Sequence, residues 1–432
     1  MKGRTLLLAL LALVLALSGC DAGDPSRPEG GTTAVGPTRA GDVELLLERI
    51  EAVHPDPYHA VSRADLHAAA AELAGRAGSL GEDDFLVELM RLTALLGERD
   101  GHSGIFPLDL EHRSELHLYP LRLYAFEDGL YVVGALEDSN LVGARLLSVD
   151  GVAVDQVAQA VAPLVPRDND MSLAARLPQY MVVAEILHGL GLTEDAGSTE
   201  LAFELEDGTR RDVSLRPVPA ESYADTFDDL FDPLVPQGLP QWPEPAYLAR
   251  RLEDQWLTTL DDGRVVYVAY NVTLGDTSAI AAQIRRRLGD PRVERVVLDL
   301  RHNPGGDNGT YPPLLAVLSG RVPDHAGRLV ALVGRTTFSA AVNFATELER
   351  STDVVFVGER TGGSPNQYGD PVPVNLSASG WSVRVAGVYW QKSSPDDARV
   401  ALEPDVPVAL SSRDFFGGRD PILSAALRPR LR

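Results

Sequence analysis

At 432 residues the chain is too long for one compact core and implies two or three domains. Its 44% hydrophobic content and mean hydropathy of −0.05 are those of a folded chain, not a disordered one. With 62 acidic against 39 basic residues the net charge is −23, so nucleic acid is not an expected partner.

The chain begins with Lys2 and Arg4, then an apolar run from Leu6 to Leu17 that ends in Leu17-Ser18-Gly19-Cys20. A basic start followed by an apolar run too short to span a bilayer comfortably is the pattern of an export signal, here residues 1–19. Its ending resembles the lipobox of bacterial lipoproteins. That resemblance implies cleavage before Cys20, lipidation of Cys20, and anchoring at the cell envelope, on the outer face of the cytoplasmic membrane or the periplasmic side. Cys20 is the only cysteine, which leaves the mature chain without disulfide or thiol chemistry. Residues 20–41 are rich in Gly, Pro, Ser and Thr without apolar periodicity and read as a flexible tether.

Apolar residues then recur at helical spacing from Asp42 to about Arg99, with Pro55 and Pro57 breaking the first helix. Residues 42–117 are expected to be a helical domain that ends in the turn Asp100-Gly101-His102-Ser103-Gly104. Strand signals dominate residues 118–218, closing with Glu206-Asp207-Gly208 between two strand runs, which is hairpin grammar. This order resembles a PDZ-like module with a helical insertion at 166–197. From 219 to 432 strands and helices alternate, with strands expected at Val265–Tyr270, Val296–Leu300, Leu329–Val333 and Val354–Val357, and helices at Thr277–Leu288 and Ser339–Arg350.

Within this last part a buried strand runs through a short turn into a serine that opens a helix: Val330-Ala331-Leu332-Val333-Gly334-Arg335-Thr336-Thr337-Phe338-Ser339-Ala340-Ala341. Serine at a helix start is usually an N-cap. The same position also offers free amides and the positive dipole end, which favour an oxyanion beside a nucleophile. A second strand leads into Arg301-His302-Asn303-Pro304-Gly305-Gly306, where proline shapes the turn and two glycines let backbone amides approach a carbonyl.

Asp299-Leu300-Arg301-His302-Asn303-Pro304-Gly305-Gly306, then Thr337-Phe338-Ser339-Ala340-Ala341, then Val357-Gly358-Glu359-Arg360-Thr361-Gly362-Gly363 resemble, in order and spacing, the signature of the tail-specific peptidase and tricorn-core family. The resemblance implies a multidomain α/β protein: a helical N-terminal cap, a PDZ-like β-rich domain, and a catalytic core related to crotonase and Clp protease. It implies a serine peptidase with Ser339 as nucleophile, Gly305, Gly306 and Ala340 as oxyanion donors, and a peptide or protein substrate. One branch of the family activates serine with a downstream lysine, but the matching slot here holds Ser364, and Lys392 reads as a solvated surface charge. The other branch uses a histidine from the N-terminal part, which corresponds to His102. A neutral imidazole there can accept the Ser339 proton and return it to the leaving amine. For the group that orients His102, the resemblance points to the region of Asp397, with Ser103 as an alternative relay. Glu359 is expected to pair with Arg360 or another arginine.

His54 and His59 flank Pro55-Asp56-Pro57 at a spacing that fits no helical ligand pair, so they are expected to pack a loop, with no metal or other cofactor. A peptide-binding lipoprotein of the same fold without catalysis is the alternative. A lipase-like esterase would carry Gly-x-Ser-x-Gly, where this chain has Phe338-Ser339-Ala340. A crotonase-type enzyme acting on coenzyme A thioesters does not fit an exported chain.

Overall fold

The computed structural model describes residues 37–109, 115–227, 242, 244–321 and 328–429. The expected export signal, Cys20 and the tether up to residue 36 lie outside the described residues. No helix among the described residues is long and apolar enough to cross a membrane.

Three helices come first, α1 (Arg39–Val53), α2 (Arg63–Arg76) and α3 (Glu82–Ala94). The Thr38 side chain accepts from the Gly41 amide and caps α1, so the helix starts inside the stretch expected to be tether. Ser62 caps α2 in the same way. On α3 the buried residues Phe85, Leu86, Leu89, Met90 and Leu92 recur at helical spacing and form one inward face.

The β-rich unit follows as β1 (His117–Leu118), β2 (Leu121–Phe126), β3 (Gly129–Ala135), β4 (Arg145–Val149), β5 (Val152–Ala153) and α4 (Val154–Val161). The expected insertion forms α5 (Asp170–Tyr180) and α6 (Ala184–Gly189), after which come β6 (Thr199–Glu204), β7 (Arg210–Leu215), β8 (Val218–Pro219) and α7 (Ala220–Phe227). The sheet order is β2-β3-β4-β6-β7, every pair antiparallel. The insertion therefore leaves the sheet after β4 and returns beside it, without breaking the pairing.

The last part holds a six-stranded sheet. Its strands are β9 (Gln255–Leu260), β10 (Val265–Tyr270), β11 (Arg295–Asp299), β12 (Leu329–Val333), β13 (Val355–Gly358) and β16 (Val406–Pro407), in the order β16-β13-β12-β11-β10-β9. Strands β10 to β13 run parallel, joined by α8 (Ser278–Arg287), α9 (Pro312–Arg321) and α10 (Ala340–Ser351). Alternate strand residues serve two cores: Val266, Val268, Val296, Leu298 and Ala331 pack with α8, α9 and α10. Val265, Tyr267, Val297, Val330 and Leu332 pack with α12 (Pro421–Ala426), which follows α11 (Ser412–Phe416). Consecutive neighbouring strands with crossovers of one hand put every connecting helix on one face, so the other face needs the C-terminal helix. The turns after β11, β12 and β13 all emerge at the same carboxyl edge, which is where open α/β sheets bind ligands.

One element was not anticipated. The long hairpin of β14 (Asn366–Asn375) and β15 (Ser382–Gln391) belongs by sequence to the last part but packs on the first. Its Val374, Leu376, Trp381, Val383 and Val385 are continuous with the apolar core of α1–α3 and the β-rich unit. Asp42, buried on α1, accepts the amides of Ala378 and Ser379 at the hairpin tip at 3.2 and 2.7 Å.

Candidate active site

Ser339 sits where β12 turns into α10, with φ 53° and ψ −126°. A non-glycine residue in that region is strained, and such strain concentrates where a side chain must be presented. The hydroxyl makes no capping bond to the helix, so the ordinary explanation for serine at a helix start does not hold. Instead Ser339 Oγ lies 3.1 Å from His102 Nε2, across 237 positions of sequence. The bend is pinned by buried groups: Thr337 Oγ1 donates to the Leu300 carbonyl at 2.8 Å and accepts the Gly334 amide at 3.0 Å. Gln367 Nε2 holds the Ser339 carbonyl at 3.0 Å.

The glycine turn after β11 abuts this serine. A Cβ on Gly305 would lie 2.6 Å from Ser339 Cβ, and its φ of 108° is open only to glycine. The Gly305 amide, expected to face a substrate oxyanion, is bonded to Asn303 Oδ1 at 3.0 Å. Asn303 is fully buried and also takes the Thr273 hydroxyl at 3.1 Å while donating to the Tyr270 carbonyl at 2.8 Å. Gly305 thus serves close approach, while the amides of Gly306 and Ala340 are in no hydrogen bond among the described residues. Beneath the turn, buried Arg301 joins Asp299 and Asp420, and Tyr267 donates to Asp299 at 2.6 Å.

His102 stacks on Phe338 with ring centroids 4.6 Å apart and an interplanar angle of 26°. Burial holds its pKa down to about 4, the Arg176 cation and then Arg384 pushing the same way, while the Asp100 carboxylate and the Tyr368 backbone oppose. The ring is therefore neutral at pH 7, the form that accepts a proton. Its turn is clamped from three directions. Asp168 Oδ1 accepts the Gly101 amide at 2.8 Å while its Oδ2 accepts the Ser364 amide at 2.9 Å. Gly104 and Arg384 of β15 exchange both backbone bonds at 2.9 Å. The Ser103 hydroxyl accepts the Ala386 amide at 2.9 Å. Asp168 is fully buried, and burial raises its pKa to about 6, against the lowering effect of the Ser364 and Gly101 amides. The next residue, Asn169, donates to the Thr361 carbonyl at 3.1 Å, so this corner of the insertion ties the histidine turn to the segment after β13.

Two expected residues do not join the site. Asp397 is held by Arg399, with Nη2 to Oδ2 at 2.8 Å, and that hydrogen bonding keeps its carboxyl well below the usual range. The Ser103 hydroxyl accepts the Ala386 amide and makes no hydrogen bond to His102 among the described residues. No carboxylate bonds His102 Nδ1 among the described residues, so none completes a triad. The acid nearest in sequence, Asp100, faces His54 instead, with Oδ2 3.2 Å from His54 Nε2 but off line for a hydrogen bond. His54 and His59 pack around Tyr368, each with ring centroids 4.5 Å from it. Lys392 is not a solvated charge: it pairs with Glu347 at 2.6 Å, away from the elbow. Glu359 pairs with Arg335, while Arg360 goes to Asp170 and Glu403. Among the described residues no cluster of three or more His, Cys, Asp or Glu can hold a metal ion.

A strained serine, a neutral imidazole on its hydroxyl and two unspent amides at the edge of a mixed α/β fold form a constellation able to transfer acyl groups. The fold, over nearly the whole described chain, is also found among solved structures. The chain is similar to mature CPAF complexed with lactacystin at 14% identity, covering 90% of this chain and 97% of that one with a TM-score of 0.61. It is likewise similar to a serine-to-alanine variant of CPAF at 13% identity, covering 90% and 96% with a TM-score of 0.63. At these identities the likeness is one of fold. No protein-family model matches the sequence, and no curated protein matches it.

Proposed function

We propose that the chain is an exported serine peptidase, held at the bacterial cell envelope by lipid on Cys20. The observation that carries this reading is the 3.1 Å contact between His102 Nε2 and the hydroxyl of a serine in strained backbone. Ser339 attacks the scissile carbonyl as His102 takes its proton. The resulting oxyanion draws on the amides of Ala340 and Gly306, and His102 then protonates the leaving amine. Water releases the acyl group by the same route in reverse. The three motifs described above, in their order, and the CPAF-like fold support the same reading.

A fluorophosphonate probe tests it. The wild-type chain is expected to be labelled and Ser339→Ala to give no signal, while an unlabelled wild type overturns the assignment. Anchoring is read separately: Cys20→Ser is expected to move the protein from the membrane fraction to the soluble one, and unchanged membrane retention counts against the lipid anchor.

A further inference from the structure

Behind the serine–histidine pair, Asp100 precedes His102 by two residues on the same turn, and its side chain is wholly enclosed, as is that of His54. Neither oxygen of Asp100 accepts a hydrogen bond among the described residues. The adjacent Gly101 amide goes to Asp168 instead. His54 closes α1, and its Nδ1 accepts the Asp56 amide at 3.1 Å. In the neutral ring the proton is therefore on Nε2, the atom that lies 3.2 Å from Asp100 Oδ2. Its N–H faces the carboxylate without bonding it. A buried carboxylate that no donor bonds is costly to keep. The other enclosed acids are built differently: Asp42, Asp168 and Asp299 each accept two or more hydrogen bonds. What Asp100 does have is His102 in its field. The other groups facing that imidazole are Arg176 of α5, Arg384 of β15, the Tyr368 backbone of β14 and Ser339. Both cations weaken the ring as a base. Arg384 is answered by Asp109 at 2.6 Å, whereas Arg176 is fixed by the carbonyls of Gly101 and Pro166 at 2.7 and 2.6 Å and lies over the Phe338 ring at 4.5 Å. Asp168 has both oxygens spent on amides, which leaves Asp100 as the counter-charge. The backbone of β14 lies against the ring itself: a Cβ on Gly369 would come 3.8 Å from His102 Cε1.

We propose that Asp100 is a positioning residue for His102, supplying across the turn the negative charge that a triad acid supplies through a bond, with the His54 N–H holding the carboxylate in place. As the Ser339 O–H bond breaks, His102 Nε2 gains the proton, and Asp100 stabilises the imidazolium so formed. The carboxylate takes no proton; His102 passes its own to the leaving amine. This rests on the serine peptidase reading and adds the charged member that the pair otherwise lacks.

Fluorophosphonate labelling rates of the full chain test this in two backgrounds. Asp100→Asn is expected to slow labelling about tenfold or more and to move the acid limb of its pH profile to lower pH, since an imidazole that loses a neighbouring negative charge is a weaker base. In a His102→Ala background the same substitution is expected to change the residual rate by less than about twofold, because a residue that acts through His102 has nothing left to act on. Asp100→Ala, which buries no amide, carries the same expectations if the Asn variant does not fold. A wild-type rate in the Asp100 variants, an unmoved acid limb, or equal slowing with and without His102 overturns the proposal. In each of those cases Ser339 is still labelled in the wild type, so the peptidase reading stands. A wild type that takes no label ends both.

Discussion

The two halves of the serine–histidine pair are built in opposite ways. Ser339 is presented mainly by its own strand, turn and helix, with supporting bonds from Leu300 and Gln367, 37 and 28 positions from their partners. His102 sits on a turn with little local support, held by Asp168, Arg384 and Ala386 from segments 67 to 283 positions away. A nucleophile made locally keeps its shape when distant parts change, whereas a base placed by long-range contacts is sensitive to residues that never touch substrate.

That contrast can be broken by experiment, with the fluorophosphonate labelling rate as readout. The largest effect is expected for His102→Ala, which leaves the elbow folded and removes the base, slowing labelling by about 10²- to 10⁴-fold. If the rate is unchanged, His102 is not the base. Next, Gly305→Ala places a methyl 2.6 Å from Ser339 Cβ at a φ of 108°, so labelling is expected to fall while the melting temperature also drops. The backbone strain alone is worth about 1–3 kcal/mol. Asp168→Asn offers one acceptor where two amides need one each, leaving a buried N–H unpaired at about 1–3 kcal/mol. Its expected signature is a slower labelling rate together with lower stability, because the turn bearing His102 loses one of its clamps. The pH profile sharpens the same point. With its pKa lowered to about 4, the folded His102 stays neutral where an unfolded histidine is already charged, so labelling is expected to hold from pH 8 to below 6 and fail near 4. By linkage the unfolded chain binds the extra proton between the ordinary value of 6.5 and about 4, so this group's contribution to stability is lost as pH falls through that window. A labelling midpoint near 6.5 would show that the ring is not desolvated as described. The smallest effect is expected for Asp397→Asn, within about twofold, since removing a partly exposed pair of this kind costs little. A large loss there would return Asp397 to the site.

What could be read beforehand follows the same division. The continuous apolar runs of β10 and β12 and the strand-turn-serine run are written in consecutive residues, and their bounds are found almost unchanged. The hairpin β14–β15, the Asp168 clamp and the orientation of Arg176 leave no local pattern, because their partners lie in other parts of the chain. Asp397 is pointed to by the family resemblance alone. The available signal was Arg399 two positions on, a nearer partner than any histidine. Gly305 was misread as a donor because glycine suits both close approach and an exposed amide. Asn303 two residues earlier is the residue type that captures such an amide with its side chain.

The hairpin has a consequence for the order in which the chain is made. Residues 366–391, which grip the turn bearing His102, are synthesised after both His102 and Ser339. A nascent or prematurely ended chain that stops short of them has both residues but lacks two of the clamps on that turn, the Gly104–Arg384 and Ser103–Ala386 bonds. On the peptidase reading proposed above, full assembly of the pair is thereby deferred until the polypeptide is nearly finished.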